Sequence, residues 1–143
     1  MALAGSAPAQ TTTPPGTEPQ RVTREARISD VLTSPTRRRV RVGVVIGACT
    51  ERIDVARLVQ GRTTVEVALQ VTNRVETCAA IGLYRCVLVT LDRPLGRRRV
   101  VDLTTGRRVG RPDGRNWPPS EMQLLARMPC RPPGPVAPWR PPR

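Results

Sequence analysis

The chain has 143 residues, 24 cationic side chains against 11 acidic ones, a formal net charge of +13, and neither histidine nor phenylalanine. That length fits one domain, and without histidine no Ser-His-Asp relay, Cys-His relay or histidine-based metal site can be assembled. Every cation is arginine, a bias that GC-rich coding explains for arginine over lysine but not for the excess of positive charge.

Residues 1–24 are rich in Ala, Thr, Pro, Gly and Gln, TTTPPGTEP included, and carry no apolar periodicity. They read as a disordered arm. The opening MALAGSAPAQ lacks the basic region and long apolar run of a signal peptide, while LAGS resembles the end of a lipoprotein signal with Ser6 where the lipidated cysteine would stand. Residues 25–34, EARISDVLTS, suit either a short helix or an edge strand, ended by Pro35.

From Arg38 the pattern alternates strictly. Val40, Val42, Val44 and Ile46 share one face of a strand and Arg39, Arg41, Gly43 and Val45 the other. RIDVARLVQ follows, with Ile53, Val55 and Val59 as inward candidates, then a turn at Gln60-Gly61-Arg62. TTVEVALQVT points Val65, Val67, Leu69 and Val71 to one side. Residues 73–80 read as a loop, and IGLYRCVLVTL, over 81–91, as a central strand buried on both faces.

Arg93-Pro94-Leu95-Gly96, just after Asp92, has Pro at the second and Gly at the fourth position of a β-turn. Two short strands, 98–102 and 106–109, then flank Asp102-Leu-Thr-Thr-Gly106, where Asp102 can bond backbone amides and Gly106 can take a left-handed conformation. Beyond residue 111 the density of proline excludes regular structure, except for SEMQLLARM, 120–128, a short amphipathic helix opened by Ser120 as N-cap. Trp117 and Trp139, each beside proline, either anchor this tail on the sheet or present a proline-rich ligand.

Short strands at roughly 8 to 12 residue spacing predict an all-β fold: a small antiparallel β-sandwich or barrel of about five to seven strands with disordered Pro-rich termini. The organisation is an arm over 1–24, a basic β domain over 25–111 and an Arg/Pro-rich tail over 112–143. The core comprises the inward residues of the strands together with Val87, Val89, Leu91 and Val100. No apolar run reaches the 18 or so residues of a membrane span.

Cys49, Cys78, Cys86 and Cys130 form no CxxC pair, which disfavours zinc, and no cofactor motif is present. Two readings stand, four buried thiols or a disulfide framework formed in an oxidising compartment. A bridge between Cys49 and Cys78 would contribute roughly 3 to 4 kcal/mol by loop closure, and Cys86 would meet Cys130 if the tail folds back. Spacing alone leaves three connectivities open.

The segments GACTERIDVARLVQGRTTVEVALQVTN and CAAIGLYRCVLVTLDRPLGRRRVVDLTTGRRV resemble a group of small, mostly uncharacterised actinobacterial secreted proteins and lipoproteins. The matching residues are Cys49, Val65, Val67, Cys78, Val89, Thr90, Leu91, Asp92, Pro94, Leu95, Gly96, Arg98, Val100, Val101, Asp102, Thr105 and Gly106. The resemblance covers about residues 40–109 and implies an extracytoplasmic β domain in which Cys49 is bonded to Cys78. Cys86 and Cys130 are additions to the group's pattern, and Arg97 stands where an acidic residue is usual.

Between residues 37 and 111 there are 16 Arg against 6 acids, so the charge belongs to the folded part. The clusters Arg37-Arg38-Arg39, Arg97-Arg98-Arg99 and Arg107-Arg108 are the candidates for gripping an anion, whether an envelope component or an acidic protein. Solubilising edge charge is the plainer explanation. Nucleic acid is disfavoured, because Tyr84 is the only aromatic within the strands. Asp92, Pro94, Gly96, Asp102 and Gly106 serve turns, and carboxylate catalysis around Asp92 and Asp102 is the weakest reading. The function expected is a non-enzymatic extracytoplasmic β module of a bacterial envelope; the alternative is an intracellular basic protein contacting nucleic-acid phosphates.

Overall fold

A computed structural model describes residues 5, 19–32, 36–112, 115, 117–138, 140 and 143. The order of elements is β1 (Arg21–Ala26), β2 (Ile28–Val31), β3 (Arg39–Gly47), β4 (Thr50–Gln60), β5 (Thr64–Arg74), β6 (Gly82–Thr90), β7 (Arg99–Asp102), β8 (Arg107–Arg108), α1 (Pro119–Arg127) and β9 (Gly134–Pro135). The chain folds as a small β-sandwich. One sheet runs β8-β7-β5-β4-β9 with β1 also on β5, and the other runs β2-β3-β6.

The alternation in β3 and β5 fixes the core. Val40, Val42, Val44 and Ile46 from one sheet meet Val65, Val67, Leu69 and Val71 from the other, all buried. In β4 the pairing register shifts between Val55 and Arg57. A bulge moves every later side chain to the opposite face, so Leu58 packs against the core and Val59 is exposed, where uninterrupted alternation would have turned Val59 inward.

The sheet reaches further toward the N-terminus than the arm reading allowed. Residues 21–24, placed in the arm, belong to β1, which pairs antiparallel with Leu69–Arg74 of β5; the rest of the arm lies outside the described residues, apart from Gly5 and residues 19–20. Of residues 25–34, which suit either a helix or a strand, 25–26 and 28–31 are strand, and 33–35 lie outside the described residues. Arg27 carries the chain from β1 in one sheet to β2 in the other, and Ile28 and Val31 are buried in the core.

β6 is not the central strand. β3 takes that place, paired with β2 and β6 on its two sides. The apolar run of β6 arises because the tail covers it: Cys86 is bonded to Cys130, and Arg131 bridges to Val87. The tail also holds regular structure despite its prolines, since Gly134–Pro135 pairs with Arg52 and Ile53 of β4. An edge position tolerates proline because only one side of the strand is hydrogen-bonded.

After β6 the chain changes sheets, and β7 pairs parallel to the start of β5, Thr64 opposite Arg99. β5 is therefore flanked by β4 along one side and by β7 and then β1 along the other. The helix begins at Pro119, with Pro118 as the cap residue and Ser120 inside the first turn, so Ser120 is not the N-cap. Proline suits that first turn because its missing N–H would be unbonded there.

Candidate anion-binding groove

The sandwich has two ends. At one, the chain crosses between sheets at residues 48–49 and again over 75–81, and the Cys49–Cys78 disulfide joins the two crossings with Cα atoms 5.8 Å apart. The second disulfide, Cys86–Cys130, has Cα atoms 4.6 Å apart. No cysteine is free. Glu76 lies close to Cys49 and Cys78, but both sulfurs are spent on the disulfide and offer no thiolate to a metal.

Around this end arginines meet acceptors. Arg21 Nε donates to Glu51 at 2.6 Å, and Arg74 lies 3.4 Å from Glu51 and 3.0 Å from Glu76. With its nitrogen toward Thr50 Oγ1, the Asn73 amide presents its oxygen to the Arg24 guanidinium at 3.0 to 3.1 Å.

At the opposite end three segments converge: the β4–β5 turn, the 91–98 link, and residues 37–38 leading into β3. Leu91 N donates to Arg38 O, Leu95 N to Arg37 O, and Asp92 N to Gln60 Oε1. Leu95 is buried and plugs the core. Because that plug fixes the backbone, the hydrogen-bonded turn falls at Leu95–Arg98, with Arg98 N donating to Leu95 O. Gly96 sits at its second position with φ +60°, rather than fourth in a turn begun by Arg93. A left-handed backbone there favours glycine over any residue with a Cβ.

Between the β4–β5 turn and the 91–98 link runs a groove of about 640 Å³ lined by Arg62, Thr63, Thr64 and residues 93–99, with Arg37 and Arg38 outside it. A second groove, about 380 Å³, shares Arg97, Arg98 and Arg99 and adds Arg108 and Arg111. The arginines do not play equal parts. Arg98 is 8 % exposed, and its guanidinium donates to the carbonyls of Leu95, Gly61, Arg93 and Pro94. It ties the floor together and is not available to a partner as first expected.

Arg38 Nη2 donates to Asp92 O, and Arg93 Nη2 to Gly61 O. Among the described residues no carboxylate pairs with Arg62, Arg97, Arg99 or Arg108, and all four line the grooves. Arg39 lies elsewhere, beside Val55, Leu88 and Pro132. Arg107 pairs with Asp102 in the β7–β8 ladder and lines neither groove. Arg62, Arg93 and Arg111 were missed. Their turns are legible in sequence, but only the parallel β5–β7 pairing brings them to one end.

Asp102 is 1 % exposed. One carboxylate oxygen accepts from Thr104 N within its own turn, and the other accepts from Ile28 N, so it ties the β7–β8 turn to the opposite sheet. Gly106 follows with φ +68°, and its N–H donates to Asp102 O. Asp92 contributes its backbone to the end loops. Neither acid lines either arginine groove.

On the outer face of the three-stranded sheet the tail packs over β3 and β6. The Arg41 guanidinium donates to the carbonyls of Leu125, Ala126 and Met128 and to Cys130 Sγ, capping the C-terminal end of α1. A cation there complements the helix dipole. Tyr84 Oη donates to Asp30 at 3.1 Å, and Trp117 meets the Tyr84 ring edge-on at 5.8 Å. Gly43 makes room, since a Cβ at that position would run into the Tyr84 ring and hydroxyl. Trp117 thus holds the tail on the sheet; Trp139 lies outside the described residues.

Burial raises the Asp30 carboxyl above its ordinary value, and hydrogen bonds from Tyr84 and Trp117 oppose that rise. Burial also raises the Tyr84 hydroxyl, helped by the Asp30 charge and hydrogen bond. Compared with known proteins, the chain matches no family model, no curated protein and no solved structure.

Proposed function

We propose that this chain is a non-enzymatic extracytoplasmic module of a bacterial cell envelope that binds an anionic envelope component or an acidic partner protein through its arginine end. The observation that carries this reading is the groove in which Arg62, Arg97 and Arg99 stand without carboxylate partners among the described residues, braced from beneath by the buried Arg98. Convergent guanidinium groups raise the local concentration of anions and offer paired N–H donors to phosphate or carboxylate. Two disulfides fit an oxidising compartment, and the resemblance to actinobacterial secreted proteins points the same way. No helix among the described residues is long and apolar enough to cross a membrane.

The test is sedimentation of the oxidised chain with phosphatidylglycerol vesicles, phosphatidylcholine vesicles and a short duplex DNA at several salt concentrations. Binding to the anionic vesicles should exceed that to the zwitterionic ones. It should fall at least about tenfold in an Arg62→Gln, Arg97→Gln, Arg99→Gln variant and hold in Arg107→Gln. Tighter binding to DNA than to either vesicle, with a steep salt slope, would favour the nucleic-acid reading instead.

A further inference from the structure

The two sheets leave one side of the sandwich open, between the edge of β4 and the edge of β6. The tail closes it as a strap. Arg131 bonds β6, its N–H donating to Cys86 O and its carbonyl accepting from Leu88 N, and Gly134–Pro135 pairs with β4. The Cys86–Cys130 disulfide locks the strap at its start.

Beneath the strap lies a cavity of about 350 Å³, within the range of roughly 300 to 1,000 Å³ that small-molecule sites occupy. Its floor is Ile53, Cys86 and Val87, all buried, and the strap supplies Met128, Pro129 and Val136. Apart from Tyr84 the other lining side chains are apolar, yet Arg85, half-buried, and Arg131, exposed, open onto the same space.

Arg85 is out of place for a core position. It pairs in register with Val44, which is fully buried, and alternates along β6 with Val87 and Val89, both core residues. Its Nη1 donates to the Tyr84 carbonyl at 3.2 Å, and among the described residues no carboxylate pairs with Arg85 or Arg131. A guanidinium keeps its charge when half-buried, and without a counter-ion that charge carries a desolvation cost. A carboxylate or phosphate placed against it offsets the cost through charge-assisted hydrogen bonds. An apolar body on the same molecule would leave water for the floor and the strap.

We infer that the cavity under the C-terminal strap binds a small amphiphile, with its single anionic head on Arg85 and Arg131 and its apolar body between Ile53, Val87 and Val136. The site shares no residue with the arginine grooves at the sandwich end, so it stands or falls separately from them.

The test is calorimetric titration of the full, oxidised chain with octanoate and with 1-octanol, alongside thermal unfolding of each variant. Octanoate should bind saturably with one site per chain, and octanol at least about tenfold more weakly. Arg85→Gln should shrink that preference, with Arg131 left alone to hold the head, and leave octanol binding as it was. Val136→Trp, which fills the cavity, should abolish both, while the Arg62→Gln, Arg97→Gln, Arg99→Gln variant binds octanoate normally. If Arg85→Gln does not fold, the octanoate preference of the wild type together with Val136→Trp decides. Absence of saturable binding, equal affinity for the two probes, or loss only in the groove variant overturns the proposal. So does a dimer in sedimentation that octanoate dissociates, since the occupant would then be a second copy of the chain.

Discussion

At the crossover end of the sandwich, arginines stand against Glu51, Glu76 and Asn73, and a disulfide fixes the backbone behind them. At the other end, Arg62, Arg97 and Arg99 surround a groove without carboxylate partners among the described residues, and the backbone is held by one buried guanidinium and the Leu95 plug. The same residue type thus does two different jobs. Where acids are interleaved, arginine contributes locally to the fold and its field is cancelled. Where no carboxylate among the described residues pairs with them, like charges repel and the field extends to roughly the 8 Å screening length of physiological salt. A protein has reason to tolerate such self-repulsion where a partner neutralises it, which is why the groove and not the total charge points to function.

Removing the disulfide should show the largest effect. Replacing Cys49 and Cys78 together with Ala is expected to cost about 2 to 5 kcal/mol in urea unfolding, and a change below 1 kcal/mol would mean that the crossover end is held by its ion pairs instead. Next comes the brace of the groove. Arg98→Ala should cost about 2 kcal/mol, because the carbonyls of Arg93 and Pro94 lose their donor while those of Leu95 and Gly61 keep only the residue 98 backbone N–H and Arg93 Nη2; Arg98→Lys should not restore it, since an ammonium cannot span them. Arg97→Ala and Arg99→Ala should stay within about 0.5 kcal/mol. Equal losses at all three positions would erase the distinction between a structural arginine and those facing the groove.

Glu51→Gln comes third, at up to about 1 kcal/mol for partly exposed pairs. Salt should shrink that loss, whereas in Arg97→Gln salt should remove a small stabilisation gained from relieved repulsion. The smallest effect lies outside both ends, at Asp30. Because burial raises its folded value above the unfolded value of 3.8, the unfolded chain ionises first as pH rises. Stability relative to Asp30→Asn should be greatest below pH 3.8 and decline as pH rises through the raised folded value. Parallel stability curves for the two proteins would show that Asp30 keeps its ordinary titration.

The strands β3 and β5 were legible because one face of each is buried along its whole length, which writes a period of two into Val40 to Ile46 and Val65 to Val71. β4 was legible only as far as its bulge, since one inserted residue reverses the pattern without altering composition. β6 was legible as a buried strand but not as an edge, because the tail that covers it is too proline-rich to read as a partner. Of the candidate site, Arg97, Arg99 and Arg108 were visible as clusters. Arg62 and Arg111 were not, since a lone arginine in a turn has no signature until its neighbours across the fold are known.

Composition and periodicity by themselves determined an all-β chain, a basic folded part, the absence of histidine chemistry, and turns at the glycines 96 and 106. These are local properties, set by burial of alternate side chains and by the conformational range of single residues. Tertiary structure alone decided which arginines share a groove, which one is buried beneath it, and that the tail returns to close the open side of the sandwich. Those outcomes depend on pairings between residues far apart in sequence, whose energies exist only once the sheets have formed.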